Sequence, residues 1–396
     1  MPNATPSNSV LFLSEVINCN DGIASYCQTL AAGLKDNGVK VHFVTGLIRS
    51  NETSEGKRKA LENSVESLVV IPGLTKWPKP AHLKQIAEII RRENIRTVNV
   101  HGLGMLLCGR LLSLMTGARV VATYHPSVLG DLNTVLKESQ QKFNAGQQIY
   151  LNLFFPDYLV VMSEESLAYI RSHNLLFKDR VIKIMAGTDL SHFAPATPEQ
   201  RAAARKKYNL KDDDFVCVLT ARLAWVKGQD LLVDAVRRLR VSHPELSLKC
   251  LLVGSGGKER EQEIISMAHK SAEDHDSFRF LGFMSDVRET LWASDVFVLP
   301  SRIEGFPISV LEAMSSGLVP VRTPAGGASD QIQNGETGFI VPFEDPQALA
   351  DALLKLTDAP LRKKMSERAI AYAQSAFRID TMVTHMMDAF GMSRKA

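Results

Sequence analysis

Short runs of Val, Ile, Leu and Phe alternate along the chain with stretches whose apolar positions recur every three to four residues. "VLFLSEVI" is followed by "ASYCQTLAAGLKDNG" and then by "VKVHFVTG". The first and third have the length and β-branched content of buried strands, and the second has the period of a helix. The alternation continues through "LVVIPG", the helical "AHLKQIAEIIRREN", "TVNVHG", a helix around "LCGRLLSLMTG", "RVVATYHP", "DYLVVMS" and "VIKIMAG". After a Pro- and Thr-rich stretch near residues 190–200 the pattern restarts. Six further strands are predicted, in "FVCVLTARL", "KCLLVGSG", "FRFLGFM", "DVFVLPS", "LVPVRTP" and "GFIVPF", and the chain closes on successive helices. Strands joined by helical crossovers of this length predict an α/β protein with two doubly wound, Rossmann-like parallel sheets. The expected domains are residues 1–190 and 191–375, with the last helix, 376–396, packing back on the first. Ligands of such sheets bind beyond the carboxyl ends of the strands, so two facing domains would place the chemistry between two rows of strand ends.

Composition narrows the function classes. The chain has 396 residues, more than one core usually organises, and is 45% hydrophobic and 22% charged, which excludes a disordered or low-complexity chain. A net charge of +3 argues against nucleic acid as the main partner. The first 190 residues are weakly basic, with 20 Lys and Arg against 16 Asp and Glu. This leaves peripheral contact with an anionic membrane surface open, with the apolar "NAGQQIYLNLFFPDY" either extending it or buried beneath the next strand. Five cysteines without metal-ligand or CxxC spacing read as reduced and buried, and no stretch reaches the ~20 apolar residues of a membrane span. The expected location is cytoplasmic, with membrane association on the cytoplasmic face left open.

The segments after the strands carry the candidate chemistry. In "SRIEGFPISVLEAM", Glu304 lies in a strand-to-helix turn and Glu312 on the following helix, seven residues intervening. Pro307 suits a first helical turn, and the free amides of a helix N-terminus favour an anion. A diphosphate there would leave Glu304 and Glu312 to accept hydrogen bonds from sugar and ribose hydroxyls on either side. The same spacing also fits a turn carboxylate and a solvated helix glutamate. "LTARLAWVKGQD" sets Arg222 and Lys227 at another strand end, a planar fork and a mobile point charge able to neutralise a diphosphate without a metal. A surface Arg and Lys beside a loop is the plainer reading. "LLVGSGGKERE" and "TPAGGASD" are glycine turns at strand ends, the former short of a full dinucleotide fingerprint. Asp212–Asp214 in "KDDDF" precede a strand and read as a polar turn; no His/Asp/Glu group has metal-ligand spacing, so no metal site is predicted.

Taken together, Arg222-x4-Lys227, "EGFPISVLEAM", "GLVPVRTPAGGASD" and "NGETGFIVP" resemble the donor-domain motifs of retaining GT-B glycosyltransferases of family 4. "DGIASYCQTLA", "NVHGLG", "VVATYHP", "DYLVVMSEES" and "GTDLSHF" match the front half more loosely, so the resemblance covers nearly the whole chain. It implies a GT-B fold and a nucleotide-diphosphate-sugar donor as co-substrate, with no cofactor. It implies diphosphate contacts from Arg222 and Lys227, ribose contacts from Glu312 and sugar contacts from Glu304. The backbone of Gly305, Phe306, Pro307 and Ile308 is expected to face sugar and phosphate. Gly22 lies in the loop that approaches the diphosphate, and His125 matches the family histidine near the reacting centre. Transfer with retention, without a protein nucleophile, is then carried by electrostatic stabilisation and positioning. The acceptor is a glycan, a lipid-linked molecule or a small molecule.

The chain departs from the family pattern at Asp21-Gly22, where Gly-Gly is frequent, at Pro307, which deletes an N–H donor, at Ala186 and at Asp330. None removes a charged phosphate ligand. Alternatives are another GT-B enzyme using the same donor, such as an epimerase or hydrolase, and a non-catalytic nucleotide-sugar-binding protein. His101 reads as a packing or cleft residue. Tyr124 and Pro126 flank His125, with an acceptor contact left open.

Overall fold

The computed structural model describes residues 8–19, 21–50, 54–125, 143–174 and 176–392. Pro126, the N-terminal residues 1–7 and the last four residues of the C-terminal segment lie outside the described residues. The chain forms two compact units. The first holds the described residues up to Gly187 and the final helix Ile379–Phe390; the second runs from Thr188 to Arg378.

The first unit is built on a seven-stranded parallel sheet, ordered β3-β2-β1-β4-β5-β6-β7. Its strands are β1 (Ser9–Asn18), β2 (Lys40–Arg49), β3 (Ser67–Val70), β4 (Thr97–His101), β5 (Arg119–Thr123), β6 (Tyr158–Val161) and β7 (Val181–Lys183). Helices cover the sheet, so strand residues on both faces are buried and the strands read as unbroken apolar runs. Val10 to Leu13 and Val120 to Ala122 are fully buried. The helix Pro80–Arg92 shows the complementary logic. Leu83, Ile86, Ala87, Ile89 and Ile90 face the core, while Lys84, Arg91 and Arg92 stay exposed. Ile379–Phe390 completes this unit against the helix Gly22–Asp36, where Gly33 has no room for a side chain beside Val383. Thr97 Oγ1 donates to the Phe390 carbonyl at 3.0 Å.

The second unit repeats the arrangement with six parallel strands, ordered β10-β9-β8-β11-β12-β13. These are β8 (Phe215–Thr220), β9 (Leu248–Val253), β10 (Phe278–Gly282), β11 (Val296–Leu299), β12 (Val319–Arg322) and β13 (Phe339–Ile340). Its core joins Cys217, Leu219, Val236, Leu252, Val298 and Val321 to Leu349, Leu353 and Met365 of the later helices. Both crossings of the chain are tied into this unit, because Thr188 bridges to Arg378 and donates its N–H to the Phe377 carbonyl.

Each sheet has a point where the strand order reverses, between β1 and β4 and between β8 and β11. The loops leaving the two strands at such a point diverge to opposite faces and leave a crevice at their carboxyl ends.

Candidate functional site

In the second unit the loops after β8 and β11 meet at this reversal. The β8 loop ends in a short 3₁₀ turn, Trp225–Lys227, followed by Gly228 at φ +69°. A side chain at Gly228 would collide with the Pro300 carbonyl of the β11 loop, so the left-handed glycine is what lets the two loops close on each other. Across that contact Lys227 Nζ lies 2.7 Å from Glu304 Oε1. Ser301 Oγ donates to the same oxygen at 2.7 Å. The Glu304 side chain is 7% exposed and that of Lys227 21%, so the charge-assisted bond is largely withdrawn from water.

Other loops at the same strand ends buttress this pair. The β9 loop lies along the β8 loop through a Leu223–Gly256 bridge, with Leu223 N donating to the Ser255 carbonyl at 3.0 Å. The β12 loop packs on the Glu304 turn, since a side chain at Gly326 would strike the carbonyls of Glu304 and Gly305. Buried Arg322 holds that glycine turn. It donates to the Ala325 carbonyl at 2.6 Å, to the Gly326 carbonyl at 3.1 Å, and to Gln331 Oε1. Gln331 Nε2 in turn donates to the Pro307 carbonyl at 3.0 Å. The two glycine turns therefore act as close-packing surfaces for the charged loops.

The remaining predicted residues fall as follows. Arg222 is exposed in the β8 loop, its side chain unpaired among the described residues, while its carbonyl accepts from Gln229 Nε2 at 2.9 Å. Glu312 is half-buried on the helix Ile308–Ser315, and Ile308 is the first residue of that helix. Pro307 is its N-cap, with ψ 114°, one position before the expected first turn. The Phe306 ring is buried, 6.1 Å from the ring of Phe377, so it packs the turn. Gly305 is half-buried between Glu304 and Phe306. Asp214 accepts from Lys211 N at 2.7 Å and from Ser247 Oγ at 2.5 Å, a clasp on the turn before β8.

In the first unit Gly22 is the first residue of the helix Gly22–Asp36, with open space where a side chain would stand. The departure at Asp21 has a local reason: its carboxylate caps that helix, accepting from Ile23 N at 3.1 Å and Ala24 N at 3.2 Å. His125 lies just beyond β5, beside His101, and burial pushes its pKa down to about 4. Tyr124, behind it, is buried, and burial raises its phenol well above the usual range.

Sequence reading missed Arg302. Its guanidinium is 3% exposed and stacks on Trp225 with its centre 4.1 Å from the ring. It forms a two-pronged pair with Asp230 at 2.8 and 2.6 Å, reaches Glu344 at 2.7 Å and donates to the Trp225 carbonyl at 2.7 Å. Its backbone N–H donates to the Val226 carbonyl at 2.8 Å. Arg302 thereby fastens the turn carrying Lys227 to the loop carrying Glu304. An Arg directly after a buried strand is a weak signal, and its partners are 72 and 42 residues distant.

Comparison with known proteins gives the family and the fold. Residues 200–375 match the family described as Glycosyl transferases group 1, and residues 20–192 match Glycosyltransferase Family 4. The chain is a GT-B glycosyltransferase of group 1. It is 28% identical over 356 residues, 86% of each chain, to a GDP-mannose-dependent monoacylated alpha-(1-6)-phosphatidylinositol monomannoside mannosyltransferase of Corynebacterium glutamicum. It is 26% identical over 375 residues to a D-inositol 3-phosphate glycosyltransferase of the same species, covering 89% of this chain and 88% of the other. Among solved structures it resembles Anabaena Alr3699/HepE in complex with UDP. The TM-score is 0.80 at 19% identity, covering 97% of this chain and 99% of that one, a likeness of fold. This glycosyltransferase transfers a sugar from a nucleotide sugar. Among its described residues no helix is long and apolar enough to cross a membrane.

Proposed function

We propose that this glycosyltransferase transfers a hexosyl group from a nucleotide-diphosphate sugar with retention of configuration and without a metal ion, the leaving diphosphate being stabilised by Arg222 and Lys227. The observation that carries the reading is the meeting of Lys227 and Glu304 at 2.7 Å, where the β8 and β11 loops converge at the strand-order reversal. A mobile ammonium and a carboxylate at one point suit the two ends of a sugar–phosphate bond. The ammonium takes the phosphate, and the carboxylate, once released, accepts hydrogen bonds from sugar hydroxyls. Arg222, exposed and unpaired among the described residues, is the second cation for the diphosphate. Glu312 takes the ribose hydroxyls, and the backbone from Gly305 to Ile308 lines sugar and phosphate. Gly22 and His125 are assigned to the same reaction on the family resemblance. Negative charge develops on the departing phosphate in the transition state, so fixed positive groups there accelerate the step by differential stabilisation. The departing phosphate assists deprotonation of the acceptor hydroxyl, and no protein nucleophile is needed.

The relatives' names guide the choice of substrates. GDP-mannose and UDP-linked sugars are the first donors to test; inositol phosphates and phosphatidylinositol-type lipids are the first acceptors, with peripheral membrane contact at the cytoplasmic face if the acceptor is a lipid. The decisive experiment is turnover by Lys227→Ala. Loss of about 2–4 kcal/mol of transition-state stabilisation is expected, on the scale of removing an oxyanion donor, with the fold retained by circular dichroism. Near-normal turnover in the folded variant would contradict the assignment.

A further inference from the structure

Two histidines abut at the carboxyl ends of β4 and β5. His101 is the last residue of β4, paired in register with Thr123, and His125 follows two positions later. Nδ1 of His101 is 3.3 Å from Nε2 of His125, with the rings inclined at 25°. His101 is 6% exposed and lies among the rings of Phe12, Phe43 and Tyr26, with centroids at 4.8, 6.2 and 6.1 Å. Its Nε2 is buried without a partner. His125 Nδ1 has no hydrogen-bond partner among the described residues.

A neutral imidazole carries one N–H. Burial lowers the pKa of both rings, so both are neutral near pH 7. A proton on His101 Nε2 would be a buried donor with no acceptor, the rarer defect in proteins; an unfilled lone pair there is better tolerated. The proton therefore sits on His101 Nδ1 and is donated to His125 Nε2. With Nε2 accepting, His125 carries its own proton on Nδ1, because the bond made by one ring nitrogen sets the state of the other.

We propose that His101 is a positioning residue that holds His125, the histidine already assigned to the reaction, as the Nδ1–H tautomer, so that its Nδ1–H is the donor it presents. This rests on the assignment of His125 to the reaction made above. No proton changes owner in this role, so a ring that resists protonation is suited to it.

The test is nitrogen-15 NMR of the full chain labelled at histidine, with the His125 signals assigned by their loss in His125→Ala. At pH 7 a protonated Nδ1 and a bare Nε2 are expected for His125; the reverse pattern overturns the proposal without any variant at His101. His101→Asn keeps an N–H near the position of Nδ1, whereas His101→Phe removes it. The Asn variant should retain the tautomer and keep kcat within about twofold, and the Phe variant should mix tautomers and lose on the order of tenfold in kcat, the scale on which ring-orienting partners act. Identical behaviour of the two variants in both readouts overturns the positioning role. A shifted tautomer with unchanged kcat in His101→Phe overturns the donor role and the assignment of His125 to the reaction, while the spectrum still supports the positioning role.

Discussion

The Lys227–Glu304 bond sets two proposed functions against each other. While the carboxylate holds the ammonium, a diphosphate must compete for it. Glu304→Gln removes the competing charge and keeps the shape. Affinity for a nucleoside diphosphate lacking sugar should then rise by roughly fivefold, from about 1 kcal/mol for a partly screened pair, while sugar transfer falls because the hydroxyl acceptor is weakened. Calorimetric titration with UDP and GDP reads the first effect and a transfer assay the second. An unchanged or weaker nucleotide affinity would mean that Lys227 does not hold the diphosphate.

At the scale of elements, the site depends on loops held together by buried polar contacts beside packed side chains such as Phe306 and Leu223. Arg302 binds the Trp225–Lys227 turn to the β11 loop and neutralises Asp230 and Glu344 at the base of both. Arg302→Met should cost roughly 1–3 kcal/mol of stability, because it leaves half-buried Asp230 and the Trp225 carbonyl without their donor, while exposed Glu344 turns to water. The loss should appear in denaturant unfolding followed by Trp fluorescence. Donor affinity should fall in the same variant as Lys227 loses its register, and a stable Arg302→Met protein with normal donor binding would show that the loops are held by other means. The glycine turns act at this scale too, since Gly228 and Gly326 let neighbouring loops approach to backbone contact.

At the scale of the molecule, two similar α/β units are made from one chain, each with helices on both faces of a parallel sheet and each with a strand-order reversal. The proposed cation pair, Arg222 and Lys227, supplies two positive charges to a diphosphate without help from a metal ion. Transfer should therefore persist, within about twofold, after exhaustive treatment with a chelator. Abolition of activity that returns on adding Mg²⁺ or Mn²⁺ would show that the protein's own cations are insufficient.

The thirteen strands of the described residues were legible as apolar, β-branched runs because a parallel sheet covered on both faces demands them, and such a demand is local. Arg222, Lys227, Glu304 and Glu312 stood out for a related reason: they are charged residues in the segments that follow two strand ends, in an order that resembles a family motif. Local pattern placed Pro307 one residue too far into its helix, and it could not tell that the Phe306 ring packs inward or that Asp21 serves as a helix cap. Nor could it show that Lys227 rests on Glu304, 77 residues away, or that Arg302 gathers Asp230 and Glu344. His101 and His125, 24 residues apart, become neighbours only when β4 and β5 pair in register. Chain periodicity thus determined which segments are strands and helices, because side chains that share one face of a strand or helix recur at a fixed local spacing. The tertiary structure alone decided which charges meet, because a hydrogen bond requires atoms within about 3 Å, and only the folded topology brings distant loops that close.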